Sequence, residues 1–241
     1  MRPNMERVGF TSTLGIDIWS DIVCPWCYIG KRRFEAALAK FSHAADVEVT
    51  FHSFELDPRS VRVHEGNHVE YLSKKFRVSA AQAQQMIDRV TANAAEAGLE
   101  FHLDRARGGN TFDAHRLLHL AKARGVQAPL KERLMRAYFT EGQSIAEHDV
   151  LAKLAGEVDI AEADARETLA SDRFTDDVRG DEQMAGELGI QGVPFYVLGG
   201  RLGLSGAQPP DVMLQALERA WQLSSTTADA GESDQHAEPE R

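Results

Sequence analysis

Apolar residues follow two different periods along this chain, and the switches between them divide it. Leu14-Gly-Ile-Asp-Ile-Trp19 is short, apolar and β-branched, which predicts a buried strand. From Pro25 the apolar positions Ile29, Phe34, Ala37, Leu38 and Phe41 recur at helical spacing. Proline suits the first turn of that helix, where its missing N–H has no partner to lose. Asp46–Phe54 then alternates apolar and polar residues, as a half-buried strand does. Residues 14–54 therefore read as a β-α-β unit.

Between Asp57 and Ile190 the helical period takes over. Ser79 with Gln82 forms a capping-box signature, followed by an apolar stripe from Ala83 to Ala97 and a stop at Gly98. Asn110 or Thr111 caps a second stripe through Ala114, Leu117, Leu118 and Ala121, ending at Gly125. Further helices are predicted at Leu130–Phe139, Val150–Leu154 and Ala161–Leu169, with a last one from Phe174 to Leu188. Strand character returns at Val193–Leu198. Gly199-Gly200 is a hairpin signal, Leu202–Leu204 a returning strand, and Pro209-Pro210 opens a final helix through Trp221. The order β-α-β, helical block, β-β-α predicts an α/β fold whose ends share one sheet and whose middle is inserted. The expected divisions are a flexible leader (1–13), a sheet domain (14–56 and 191–223), an inserted helical domain (57–190) and a disordered acidic tail (224–241).

Composition changes this picture little. The chain has 241 residues, 43% of them hydrophobic and 27% charged, which is ordinary for a globular protein. Its net charge of −10 argues against nucleic acid as a partner, since a phosphate backbone needs a basic face. Asp229, Glu232, Asp234, Glu238 and Glu240, against Arg241 alone, place −4 of that charge in the tail. No stretch is apolar enough to span a bilayer, and the first residues lack the apolar core of a signal peptide. The expectation is a cytoplasmic protein with no membrane association. Oligomeric state is left open.

Candidate chemistry centres on the two cysteines, Cys24 and Cys27, three positions apart at the start of the first helix. Unpaired first-turn N–H groups and the helix dipole favour a thiolate over a thiol at Cys24. Cys24 is thus the expected nucleophile, and Cys27, one turn further in, the resolving thiol. Pro25 and Trp26 shape the turn. The competing reading is half a zinc site, but His64/His68 and His115/His119 lie on helical stretches that read as polar, so no metal is expected. Pro194 opens a strand either as an edge signal or as a cis peptide.

With these features the chain resembles the DsbA-like branch of the thioredoxin superfamily, in particular the FrnE-type dithiol–disulfide isomerases. The segments that carry the resemblance are Ser20–Lys31, Phe54–Pro58, Asn110–Arg116 and Gly192–Phe195. The resemblance implies a thioredoxin-like fold interrupted by a helical insertion, with Cys24 and Cys27 as the redox pair and Pro194 as a cis-proline facing them. It makes Val193 a backbone contact for an extended substrate. It also makes Asn110 a candidate substrate contact, and His115 or Arg116 a candidate positive charge near the thiolate; a helix cap with solvated polar groups is the alternative. Asp17, on the strand behind the cysteines, is a candidate proton acceptor for Cys27.

The expected partners are protein thiols and disulfides or small thiols. No tightly bound cofactor is expected beyond the redox-active disulfide itself, with glutathione as a conceivable co-substrate. A second reading is a glutathione-dependent small-molecule isomerase or transferase of the 2-hydroxychromene-2-carboxylate isomerase or kappa class, which commonly carry serine at the first cysteine position. A third is a non-enzymatic metal-binding or redox-sensing module.

Overall fold

A computed structural model describes residues 13–61 and 67–232 of the chain. Most of the leader, His64 and residues 233–241 of the tail lie outside the described residues. Strand β1 (Leu14–Ser20) leads to helix α1 (Pro25–Leu38) and returns to β2 (Val47–Ser53), which pairs parallel to β1 with Ile18 opposite Phe51. Strands β3 (Phe195–Leu198) and β4 (Leu202–Ser205) complete one sheet in the order β2-β1-β3-β4. Both β3 pairings are antiparallel, and Gly199 and Gly200 turn the hairpin at φ 58° and 66°. Strand β3 starts at Phe195 rather than Val193, because Pro194 has no N–H for the ladder.

Between β2 and β3 run α2 (His68–Phe76), α3 (Ala80–Glu96), α4 (Phe112–Ala123), α5 (Gln127–Phe139), α6 (His148–Gly156), α7 (Glu162–Ala170) and α8 (Thr175–Glu187). The Ser79–Gln82 capping box is formed in both directions. Helix α2 lies where the sequence predicts no separate helix; it carries a short apolar row, Val69, Leu72 and Phe76, but buries no residue fully. Helix α4 also departs from expectation. His115 and His119 are buried, so α4 presents no polar histidine face. The closing helix α9 (Pro210–Glu232) continues past Leu223, into the segment expected to be disordered. Once Met213, Leu217 and Ala220 anchor it in the core, each added residue gains a hydrogen bond without a new nucleation cost.

Helix α1 stands between two cores. Phe34 and Ala37 face the sheet with Leu14, Ile16, Ile18 and Tyr196, and α9 closes that layer. Cys24, Cys27, Tyr28 and Ile29 turn instead toward the inserted helices, among Leu103, Leu117, Leu134 and Phe139. The other face of the sheet carries Trp19 against Ala185 and Ile190. Strand β2 is an edge, and Gln127 of α5 covers it: Phe51 N–H donates to Gln127 Oε1 at 3.1 Å, and Gln127 Nε2 donates to the Phe51 carbonyl at 2.8 Å.

Candidate active site

The end of β1 and the start of α1 hold the two cysteines. Cys24 is the N-cap residue, with extended backbone, and Pro25 occupies the first turn. The Cys24 carbonyl accepts from the Cys27 and Tyr28 N–H groups at 3.0 and 3.3 Å, so the pair is fixed by the helix's own first turn. Both thiols are free and nearly inaccessible, at 3% and 2% exposure. The Cys24 thiol donates to the carbonyl of Val193 at 3.6 Å, and the following Val193–Pro194 peptide is cis. The loop carrying Val193 and Pro194 is therefore laid across the cysteines. Gly30 permits that approach: a Cβ there would stand 2.9 Å from Pro194 Cγ and 2.7 Å from the Tyr196 hydroxyl.

A cavity of about 590 Å³ opens above Cys24. Its floor includes Cys24, Trp26 and Val193, and its roof comes from α2 and α3 through Tyr71, Phe76, Met86 and Ile87. Trp26, Leu56, Phe76 and Met86 all line it, and each is more than a third exposed. An accessible apolar rim beside a thiol is a surface suited to apolar partners.

Beneath the thiols lies a polar group that sequence reasoning missed. Asp21 is 1% exposed; its carbonyl accepts from the Cys24 N–H, its Oδ2 accepts from Leu56 N–H at 2.8 Å, and its Oδ1 lies 3.3 Å from His115 Nε2. Burial works against ionisation there, but His115, the Leu56 N–H and Thr111 outweigh it and hold the carboxyl below its ordinary value. His115 is fully buried and burial pushes its pKa down, so it stands neutral and donates to Asp21. Cys27 behaves differently. Burial, with the neighbouring Cys24 thiol, pushes it well above its ordinary value. Lys131 of α5 completes the group, 1% exposed and with no hydrogen-bond partner for Nζ among the described residues. The available signal was its place on the helix: Gln127, Leu134, Met135 and Tyr138, its neighbours at helical spacing, are all buried.

Four sequence expectations need correction. Asp17 does not face the cysteines. Ile16 and Ile18 point to the α1 side of β1, so strand alternation turns Asp17 to the opposite face, where its Oδ1 meets His52 Nε2 at 2.8 Å. His115 cannot touch a substrate or supply positive charge, being sealed behind Asp21 and neutral. Arg116 is spent on the carbonyls of Thr168, Ser171 and Arg173 and on Asp113, which tie α4 to the α7–α8 connection. Asn110 starts α4 by accepting from the Phe112 N–H at 2.9 Å and donates to Glu55 at 3.2 Å, while Gly109 and Thr111 rather than Asn110 line the cavity.

Among the described residues no group of three or more His, Cys, Asp or Glu side chains is arranged to hold a metal ion. No helix among them is long and apolar enough to cross a membrane.

The architecture has counterparts in known proteins. The chain is 30% identical over 207 residues to the uncharacterized protein YwbO of Bacillus subtilis (strain 168), covering 85% of this chain and 96% of YwbO. It superposes on a probable DsbA oxidoreductase, SCO1869 from Streptomyces coelicolor, with a TM-score of 0.83 and 43% identity, over 87% of this chain and 90% of that one. The cytosolic disulfide reductase DsbM from Pseudomonas aeruginosa, solved with GSH, shares the fold alone: its TM-score is 0.61 at 20% identity, over 86% of this chain and 99% of DsbM. Residues 15–218 match the DSBA-like thioredoxin domain, from β1 through the inserted helices into α9, and the chain belongs to that family.

Proposed function

We propose that this protein is a thiol–disulfide oxidoreductase or isomerase that exchanges disulfides with protein substrates, with Cys24 as the nucleophile and Cys27 as the resolving thiol. The observation that carries this reading is the pair of free thiols at the α1 N-terminus, with Cys24 bonded to the Val193 carbonyl beside an apolar cavity. Cys24 attacks the substrate disulfide, and Cys27 displaces the product thiol from the resulting mixed disulfide. Val193, partly exposed in the cavity wall, suits main-chain contact with an extended segment. The exposed rim of Trp26, Leu56, Phe76 and Met86 supports substrates with apolar side chains next to the target cysteine. Having only two cysteines, both at this site, supports a reducing compartment such as the cytoplasm.

A redox titration of the pair in glutathione buffers tests this. A reversible two-electron transition between about −270 and −120 mV is expected. Cys24→Ser abolishes insulin reduction, and Cys27→Ser accumulates mixed disulfides. Wild-type rates in Cys24→Ser would refute the assignment. The apolar cavity beside Cys24 also favours a second reading, a glutathione-dependent conversion of an apolar small molecule. That activity would survive Cys27→Ser, whereas dithiol turnover would not.

A further inference from the structure

The cavity beside Cys24 is apolar along its walls but not at its most buried part. Val23, Leu72, Ile87, Val90 and Leu103 supply apolar wall. Apart from the thiol, three buried polar side chains line the floor: Asp21, Thr111 and Tyr138, at 1%, 4% and 3% exposure. Two of these are spent on the fold, since the Asp21 carboxylate is bonded to Thr111, to His115 and to the Leu56 N–H. Tyr138 is not.

No hydrogen bond engages the Tyr138 hydroxyl among the described residues, and unlike the sealed Tyr196 hydroxyl it keeps access to the cavity. Burial, with smaller pushes from Tyr71 and Asp21 in the same cavity wall, holds its proton in place, so the group both donates and accepts. The side chain is firmly set. Its ring stands edge-on to Phe139 with centroids 4.8 Å apart, and α5 is anchored by Gln127 on the Phe51 backbone and by Glu132, which accepts from Tyr28, Lys31 and Arg32. A wholly apolar side chain filling the cavity would cut this hydroxyl off from water and leave it unpaired, at a cost of about tenfold in affinity. A charged tip fares no better. Asp21 on the floor repels a carboxylate, while Lys75 and Arg89 at the rim repel an ammonium or guanidinium. What fits is an apolar body ending in a neutral hydrogen-bonding group. Among coded side chains that is tyrosine: its ring suits the apolar walls, and its hydroxyl is the partner that Tyr138 lacks.

Resting on the dithiol reading above, we propose that the cavity selects protein substrates with a tyrosine next to the target cysteine, the substrate phenol bonding to the Tyr138 hydroxyl while Cys24 attacks the neighbouring sulfur. The bond from Cys24 Sγ to the substrate sulfur forms, the substrate S–S bond breaks, and the electron pair leaves on the departing sulfur. Tyr138 gives and takes nothing in that exchange. It is a specificity-determining residue, which decides which disulfide is presented to the thiolate.

The test uses the reduced full-length protein and short peptides whose single cysteine is disulfide-bonded to thionitrobenzoate and adjoined, on one side or the other, by tyrosine, phenylalanine or leucine. Attack of Cys24 on the peptide sulfur releases the thionitrobenzoate chromophore, followed by stopped flow below saturation. The better of the two tyrosine peptides is expected to react about tenfold faster than its phenylalanine counterpart, because phenylalanine leaves Tyr138 unpaired. In Tyr138→Phe that ratio falls to near one, which isolates the pairing of the two hydroxyls. Equal rates for tyrosine and phenylalanine peptides in the wild type, or an undiminished ratio in Tyr138→Phe, overturns the proposal. The wild-type ratio decides even where the variant does not fold. Inhibition by p-cresol but not toluene, with no preference among the peptides, would assign the cavity to small phenols and overturn it as well. Release from none of the peptides would defeat the dithiol reading itself, and this proposal with it.

Discussion

Two buried polar clusters lie on opposite faces of the same sheet, and they are built from similar residues. On the α8 side, Asp181 Oδ1 meets His52 Nδ1 at 2.7 Å, and its Oδ2 accepts from the Ser53 N–H at 2.7 Å and lies 3.0 Å from His119 Nε2. His52 reaches Asp17 through its other nitrogen and stacks on Trp19, whose indole N–H donates to the Asp181 carbonyl. On the α1 side, Asp21 is satisfied, but Lys131 Nζ, His115 Nδ1 and the Tyr196 hydroxyl have no hydrogen-bond partner among the described residues. A saturated cluster joins elements; an unsaturated one keeps protons available at a measurable cost in stability. The difference separates architecture from chemistry without reference to residue type.

The largest expected effect belongs to the saturated side. Asp181→Ala removes the shared acceptor and should cost about 3–5 kcal/mol in urea unfolding, with exchange by the folded fraction unchanged. The same cluster predicts a pH window. Although burial opposes it, Asp181 and Asp17 raise His52 above its ordinary 6.5, so its contribution is complete below that value and lost as pH rises through the raised one. Asp181, despite burial, is held far below its ordinary 3.8 by His119, His52 and Ser53, so its contribution is present above 3.8 and lost only in strong acid. Stability from this cluster should therefore be greatest between 3.8 and 6.5, and a pH series of unfolding midpoints in which Asp181→Asn kept that maximum would break the comparison.

The unsaturated side predicts the opposite sign. Moving the Lys131 ammonium from 10.5 to about 8 costs the folded state about 3 kcal/mol below that value, declining to nothing above 10.5. Lys131→Met should accordingly raise the unfolding midpoint at neutral pH, with the gain shrinking in alkali. A destabilised Lys131→Met would mean that the lysine is a structural element like His52. A smaller effect sharpens the same contrast. Gly30→Ala drives a Cβ against Pro194 and Tyr196 and should cost about 1–3 kcal/mol, while also slowing exchange because the loop over Cys24 is displaced. Loss of stability with unaltered exchange would detach that loop from the reaction.

Much of the frame was legible because it obeys a period. The β-branched apolar run of β1, the alternation in β2, the capping box at Ser79 and the glycine pair at 199–200 each express a local rule that the tertiary fold did not override. The cysteines were legible for the same reason, since Pro25 marks the helix start that positions them. What stayed hidden depends on which side of an element the core occupies. Alternation separates Asp17 from Ile16 and Ile18, but it does not say which set faces α1. Lys131 follows Leu130 and precedes Glu132, and only the helical wheel distinguishes the buried lysine from its paired neighbour. Asp21 reads as a turn residue because its partners, Leu56, Thr111 and His115, come from distant segments.

The order of strands in the sheet has a consequence for biosynthesis. Strand β1 is central, yet its antiparallel neighbour β3 lies beyond the whole helical block in the chain. During synthesis Cys24 and Cys27 emerge early, on the first helix, whereas Val193 and Pro194 emerge near the end of the sheet-forming sequence. Until then the thiols lack the loop that covers them, and β1 lacks one of its two neighbours. A ribosome-bound chain stopped after α8 would carry the complete nucleophile and resolving thiol without the surface that governs access to them, so the maturation of this site is a late event tied to the arrival of a few residues.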